Sequence, residues 1–62
     1  MKKYMLSATD VSMILDIKIS KAYAVIRTLN DKLNQKGIMT VRGRVPRQYL
    51  YNAYGLYEEE WV

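Results

Sequence analysis

Neither cysteine nor histidine occurs anywhere in this 62-residue chain, and that double absence constrains its folding more than any motif does. A domain of about 60 residues buries only about 60% of the surface its unfolded chain exposes, and small domains often make up the shortfall with disulfides or a structural metal. Here there is no thiol to bridge and no Cys/His set for zinc, so the fold must hold by packing alone. Thiol nucleophiles and the commonest general base are excluded at the same stroke. Half of the residues are hydrophobic, which is enough for one core and one domain. No stretch approaches the roughly 20 apolar residues that span a bilayer, and Met1, Lys2 and Lys3 precede no signal-type apolar run. The expectation is a soluble, cytoplasmic protein.

The net charge of +4 is unevenly distributed. All ten Lys and Arg precede Tyr57, against three acids there, Asp10, Asp16 and Asp31, an excess of seven. The other three acids, Glu58, Glu59 and Glu60, are consecutive near the end. We therefore divide the chain into a domain over residues 1–57 and an acidic tail over residues 58–62. A small body this basic favours a polyanionic partner such as nucleic acid. The tail is solubilising charge or a weak competitor for the basic face.

The spacing predicts a first helix that begins after Ser7. Ser7 is a good N-cap, Asp10 occupies the acidic slot of a capping box, and Leu6 and Val11 stand where a hydrophobic staple is expected. Ala8, Val11, Ile14 and Leu15 form its apolar stripe. The phase breaks at Asp16, Ile17 and Lys18. A longer helix follows from Ile19 or Ser20 to Lys36, with Ala22, Val25, Ile26, Leu29 and Leu33 as its stripe and Gly37 as a left-handed cap. At 1.5 Å per residue it is about 25 Å long, enough to cross a DNA groove.

Residues 38–41 are β-branched or apolar, Arg42 and Gly43 make a turn, and Arg44 and Val45 return as a second strand. This predicts a β-hairpin with arginines at its tip. Pro46 suits the start of a last helix, in which Tyr49, Leu50, Ala53 and Tyr54 fit helical spacing before Gly55. The resulting class is mainly α with a small β-hairpin, in the order α-α-β-β-α: a winged helix-turn-helix.

The outer face of the second helix carries Ser20, Lys21, Ala24, Arg27, Thr28 and Asp31. Its middle is short-chained and its surround is basic, so its backbone can approach base edges while Lys21 and Arg27 reach guanine acceptors or phosphates. The competing reading is an ordinary solvated face. Arg42 and Arg44 flank a thin turn suited to a narrow minor groove or its phosphates. Arg47 follows at a helix start and is a phosphate candidate through side chain and backbone, as are Lys18 and, at the first helix's N-terminus, Thr9. Tyr23 falls at the edge of the stripe, where it packs on the core margin or reaches a phosphate through its hydroxyl.

The run Ser7-Ala8-Thr9-Asp10-Val11-Ser12-Met13-Ile14-Leu15-Asp16-Ile17, followed by Ser20-Lys21-Ala22-Tyr23 and Val25-Ile26, resembles the helix-turn-helix pattern of excisionase-type and MerR-like DNA-binding proteins. It is especially similar to the short ones of Gram-positive phages and integrative elements. Residues 37–49, with Arg-Gly-Arg at their centre, are similar to the wing and following helix of that family. The resemblance covers residues 6–54. Lys18 departs from it, since the family usually has Ser or Thr at that cap, which moves the expected helix start to Ser20. The second helix also exceeds the usual length, leaving room for a dimer contact. The resemblance implies double-stranded DNA as the partner, in a bacterial nucleoid, with a role in excisive recombination or promoter control. An integrase or recombinase, or further copies on adjacent sites, would be its protein partners.

No glycine-rich phosphate loop or acid pair in a pocket-forming context is present, so no enzyme, cofactor, metal or small-molecule ligand is expected. The basic residues are spread over separate elements, which argues against a membrane-surface helix. The alternative is a protein-interaction module, an anti-repressor or assembly partner, using Tyr49, Tyr51, Tyr54, Tyr57 and Trp61 as anchors.

Overall fold

The structure is a computed structural model that describes residues 4–56. Tyr57, the acidic tail with Trp61, and the first three residues lie outside the described residues. The elements in chain order are β1 (Met5–Ser7), α1 (Ala8–Leu15), α2 (Ile19–Gln35), β2 (Arg44–Pro46) and α3 (Arg47–Ala53). The winged helix-turn-helix class stands, with three helices and one small antiparallel sheet among the described residues.

α1 begins where the cap predicts. The Ser7 hydroxyl accepts from the Asp10 N–H at 3.3 Å, and the Asp10 carboxylate accepts from the Ser7 N–H at 3.0 Å, so two otherwise orphaned donors are satisfied reciprocally. Leu6 and Val11, the staple pair, are both buried in the core cluster. The helix stops at Asp16, which takes a left-handed conformation with φ 57. The Ile17 N–H then reaches back to the Ser12 carbonyl at 2.9 Å, closing the last turn.

Three residues later α2 starts at Ile19, one residue before the start expected from the lysine at the cap position. Lys18 is the N-cap in an extended conformation, and its side chain makes no capping bond. The Lys18 carbonyl still accepts from the Ala22 N–H at 3.0 Å, so the helix needs only the backbone to begin there. Ala22, Ile26, Leu29 and Leu33 are buried. At the other end Gly37 has φ 84, and the Ile38 N–H reaches the Leu33 carbonyl at 3.0 Å. Only glycine adopts that φ without steric cost.

The expected hairpin is corrected in its pairing. Residues 38–41 form no strand. The partner of β2 is the N-terminal segment β1, with Leu6 opposite Val45 and Ser7 opposite Arg44. The order of elements is therefore β-α-α-β-α. Burial explains the choice: Leu6 and Val45 are both sealed in the core, whereas Ile38, Met39 and Val41 are exposed. Pairing residues 38–41 to β2 would bring no such apolar surface together. The reversal at the arginines survives, because the Arg44 N–H bonds the Val41 carbonyl at 3.0 Å. Positive φ falls at Gly43 and not at Arg42, the pattern of a type II turn.

Pro46 caps α3 instead of forming its first residue. In that helix Leu50 and Tyr51 are buried, while Ala53 and Tyr54 are exposed. The expected inner face of Tyr49, Leu50, Ala53 and Tyr54 is corrected accordingly. One core joins Leu6, Val11, Ala22, Ile26, Leu29, Val45, Leu50 and Tyr51 across all five elements.

Candidate nucleic-acid interface

α1 packs on one side of α2, and the Asp16 to Lys18 break turns the chain between them. This leaves the side of α2 opposite its stripe uncovered. Ser20, Lys21, Ala24, Arg27, Thr28 and Asp31 are all exposed, as the helical spacing predicts. Hollows lie along that side among the described residues. The first runs over the break and the start of α2 and brings together Ile17, Lys18, Ser20, Lys21 and Ala24. Two lysines line it beside the short side chains of Ser20 and Ala24, which lets a polyanion approach the backbone.

The second hollow lies between the other half of α2 and the turn. Tyr23, Arg27, Asp31 and Asn34 form its helix wall, and Thr40, Arg42 and Gly43 form its opposite wall. Arg27 and Arg42, predicted separately from a helix face and a turn, thus face one cleft. Tyr23 is 54% exposed and lines this cleft. Asp31 places a carboxylate in the same cleft and sets a local limit on its attraction for anions.

Arg44 is exposed and stands opposite Ser7, so the first turn of α1, with exposed Thr9, runs on from that end of the sheet. Arg47 is half-buried. Its backbone cannot serve a phosphate as expected, because its N–H already donates to the Tyr4 carbonyl at 2.8 Å. That bond ties the start of α3 to the N-terminal segment.

Three residues of the cleft were not anticipated: Asn30, Asn34 and Thr40. The Asn30 amide donates to the carbonyls of Val41 and Arg44, at 3.3 and 2.8 Å, and Thr40 donates to the Asn34 side chain at 3.3 Å. A signal for the first existed, since Asn30 stands four residues after Ile26 and three before Leu33, inside the apolar stripe. A polar residue in such a place must find an internal partner.

Of the tyrosines proposed as anchors for a protein partner, Tyr51 is core. Tyr49 is half-buried with the Lys36 ammonium 5.4 Å from its ring centre, while Tyr54 remains exposed. Among the described residues no helix is long and apolar enough to cross a membrane.

Fold and surface together define a small winged helix-turn-helix protein with a basic helix face beside an arginine-bearing turn. Over 54 residues, 87% of this chain and 84% of the relative, the sequence is 39% identical to the ICEBs1 excisionase of Bacillus subtilis (strain 168). The chain belongs to the excisionase family. No family model and no solved structure matches it.

Proposed function

We propose that this protein binds double-stranded DNA sequence-specifically and acts, without catalysing any step itself, as a recombination directionality factor of a mobile element. The observation that carries the reading is the shared cleft of Arg27 and Arg42. A helix in the major groove and a turn at the neighbouring minor groove must leave room for the one sugar-phosphate strand that separates the grooves. A cleft walled by two arginines offers that strand both space and charge.

In this arrangement Ser20, Lys21, Ala24, Arg27 and Thr28 meet base edges, and Tyr23 lies against the backbone. Arg42 and Arg44 meet the minor groove or its phosphates. Lys18, Thr9 and the side chain of Arg47 hold further phosphates. The similarity to an excisionase supports the recombination role over promoter control, with a recombinase and further copies on adjacent DNA as the protein partners of that role.

A mobility-shift titration at increasing salt tests DNA binding, because log affinity should fall linearly with log salt, by about 0.9 for each phosphate neutralised. Reversing the charge of Arg42 and Arg44 should abolish the shift. A retained shift would show that these two arginines are not needed for DNA binding, whereas a purely tyrosine-based protein contact should survive the same reversal. Footprinting on DNA flanking the gene separates the two roles: protection of a recombination end supports the first, and protection confined to a promoter supports control of transcription.

A further inference from the structure

We infer that Asn30 is a positioning residue for the DNA-contacting surface, which holds the arginine-bearing turn at a fixed distance from α2; this rests on the DNA-binding reading above. Asn30 is 8% exposed and is the buried polar residue among the described ones. Its amide group spends both protons on the two ends of one four-residue turn, through Val41 at 3.3 Å and Arg44 at 2.8 Å. The orientation of the amide follows, because the reverse assignment would set its oxygen against two carbonyl oxygens.

Little else restrains that turn. Among the described residues the backbone hydrogen bond that residues 39–43 make is the turn's own, from the Arg44 N–H to the Val41 carbonyl, and none joins them to α2. The second tether, Thr40 to Asn34, is exposed to water and so is the weaker of the two. Asn30 therefore sets the width of the cleft between Arg27 and Arg42.

Its other atom makes a purely stabilising role a poor explanation. The Asn30 Oδ1 is sealed from solvent and accepts no hydrogen bond among the described residues. A stranded acceptor costs folding energy that offsets the bonds made by the same side chain. An apolar residue of the same branched shape would occupy the site without that cost, but it would release the turn.

Asn30→Leu in the full chain tests this with two readouts. In the free protein, amide hydrogen exchange at Arg44, whose N–H closes the turn, should speed up by about tenfold, while Ile26 in α2 and Leu50 in α3 keep their protection. On DNA, Arg42→Ala should weaken binding several-fold in the parent and by less than about twofold in the Asn30→Leu background, whereas Lys21→Ala should cost the same factor in both. Unchanged exchange at Arg44, or an undiminished effect of Arg42→Ala, would overturn the assignment. Equal loss of protection at Arg44, Ile26 and Leu50 would overturn it too, because Asn30 would then be holding the whole fold. Should the parent bind no duplex, the DNA reading falls, and the exchange readout still decides the role of Asn30.

Discussion

Leu6 lies directly opposite Val45 in the antiparallel ladder, and both side chains are buried in the core. The pairing joins the N-terminal segment to the strand that carries the arginine turn, so the placement of the turn depends on residues some forty positions away in sequence. Leu6→Ala should cost about 2 to 4 kcal/mol through lost burial and the cavity left behind. In a domain this small that is a large share of the total stability. Urea unfolding checks it, and a midpoint unchanged from the parent would show that β1 does not hold the core.

Asp16 supplies a second stability test. It is the non-glycine residue with positive φ among the described ones, and it ends α1 at the turn between the two helices. A short polar side chain tolerates that conformation, whereas a β-branched one does not. Asp16→Val should lose about 1 to 2 kcal/mol while Asp16→Gly stays within about 0.5 kcal/mol of the parent. Equal stability of the two variants would mean that the left-handed conformation is not maintained in solution.

What could be read from the sequence, and what could not, follows the range of the interactions. The Ser7 and Asp10 box, the stop near Asp16 and the cap at Gly37 are local, and each is visible as a residue type at a fixed offset. The uncovered face of α2 is also local, because seventeen residues give the helical period several turns to declare itself. The partner of β2 is not local. Residues 38–41 have the β-branched, apolar character of a strand, but strand propensity reports what fits a half-buried surface, and the surface that buries Val45 belongs to Leu6. The buried side of α3 escaped for a related reason: seven residues are too few to phase a helix, so Tyr51 could not be told from Tyr54. Asn30 and Thr40 depend on the path of the turn, which the mistaken pairing hid.

Lys21 and Arg27 are exposed on the side of α2 away from the core, so their loss should leave the fold intact. Replacing either by alanine should cost about 1 to 3 kcal/mol on a preferred site where the contact is bidentate to a base, and less on random DNA. Equal losses on both would assign the residue to the backbone alone. Competition binding with the two duplexes supplies the comparison.

Asp31 lines the same cleft as the two arginines, four residues beyond Arg27 on the helix wall. Asp31→Asn removes a charge of the same sign as phosphate while keeping the shape. Affinity should rise several-fold at low salt, equally on preferred and random duplexes, and the gain should shrink as salt screens it. No change at low salt would mean that no phosphate comes within screening distance of this carboxylate.

The central claim is that one side of α2 and the arginine turn meet the same duplex together. Amide and side-chain NMR signals followed through a titration with a duplex from the flanking DNA address it directly. The account predicts perturbation at Lys18, Lys21, Arg27 and Thr28 together with Arg42, Gly43 and Arg44, saturating at one stoichiometry, while Leu50 and Tyr51 stay unmoved. Perturbation centred on Tyr49 and Tyr54, with the outer side of α2 silent, would contradict it.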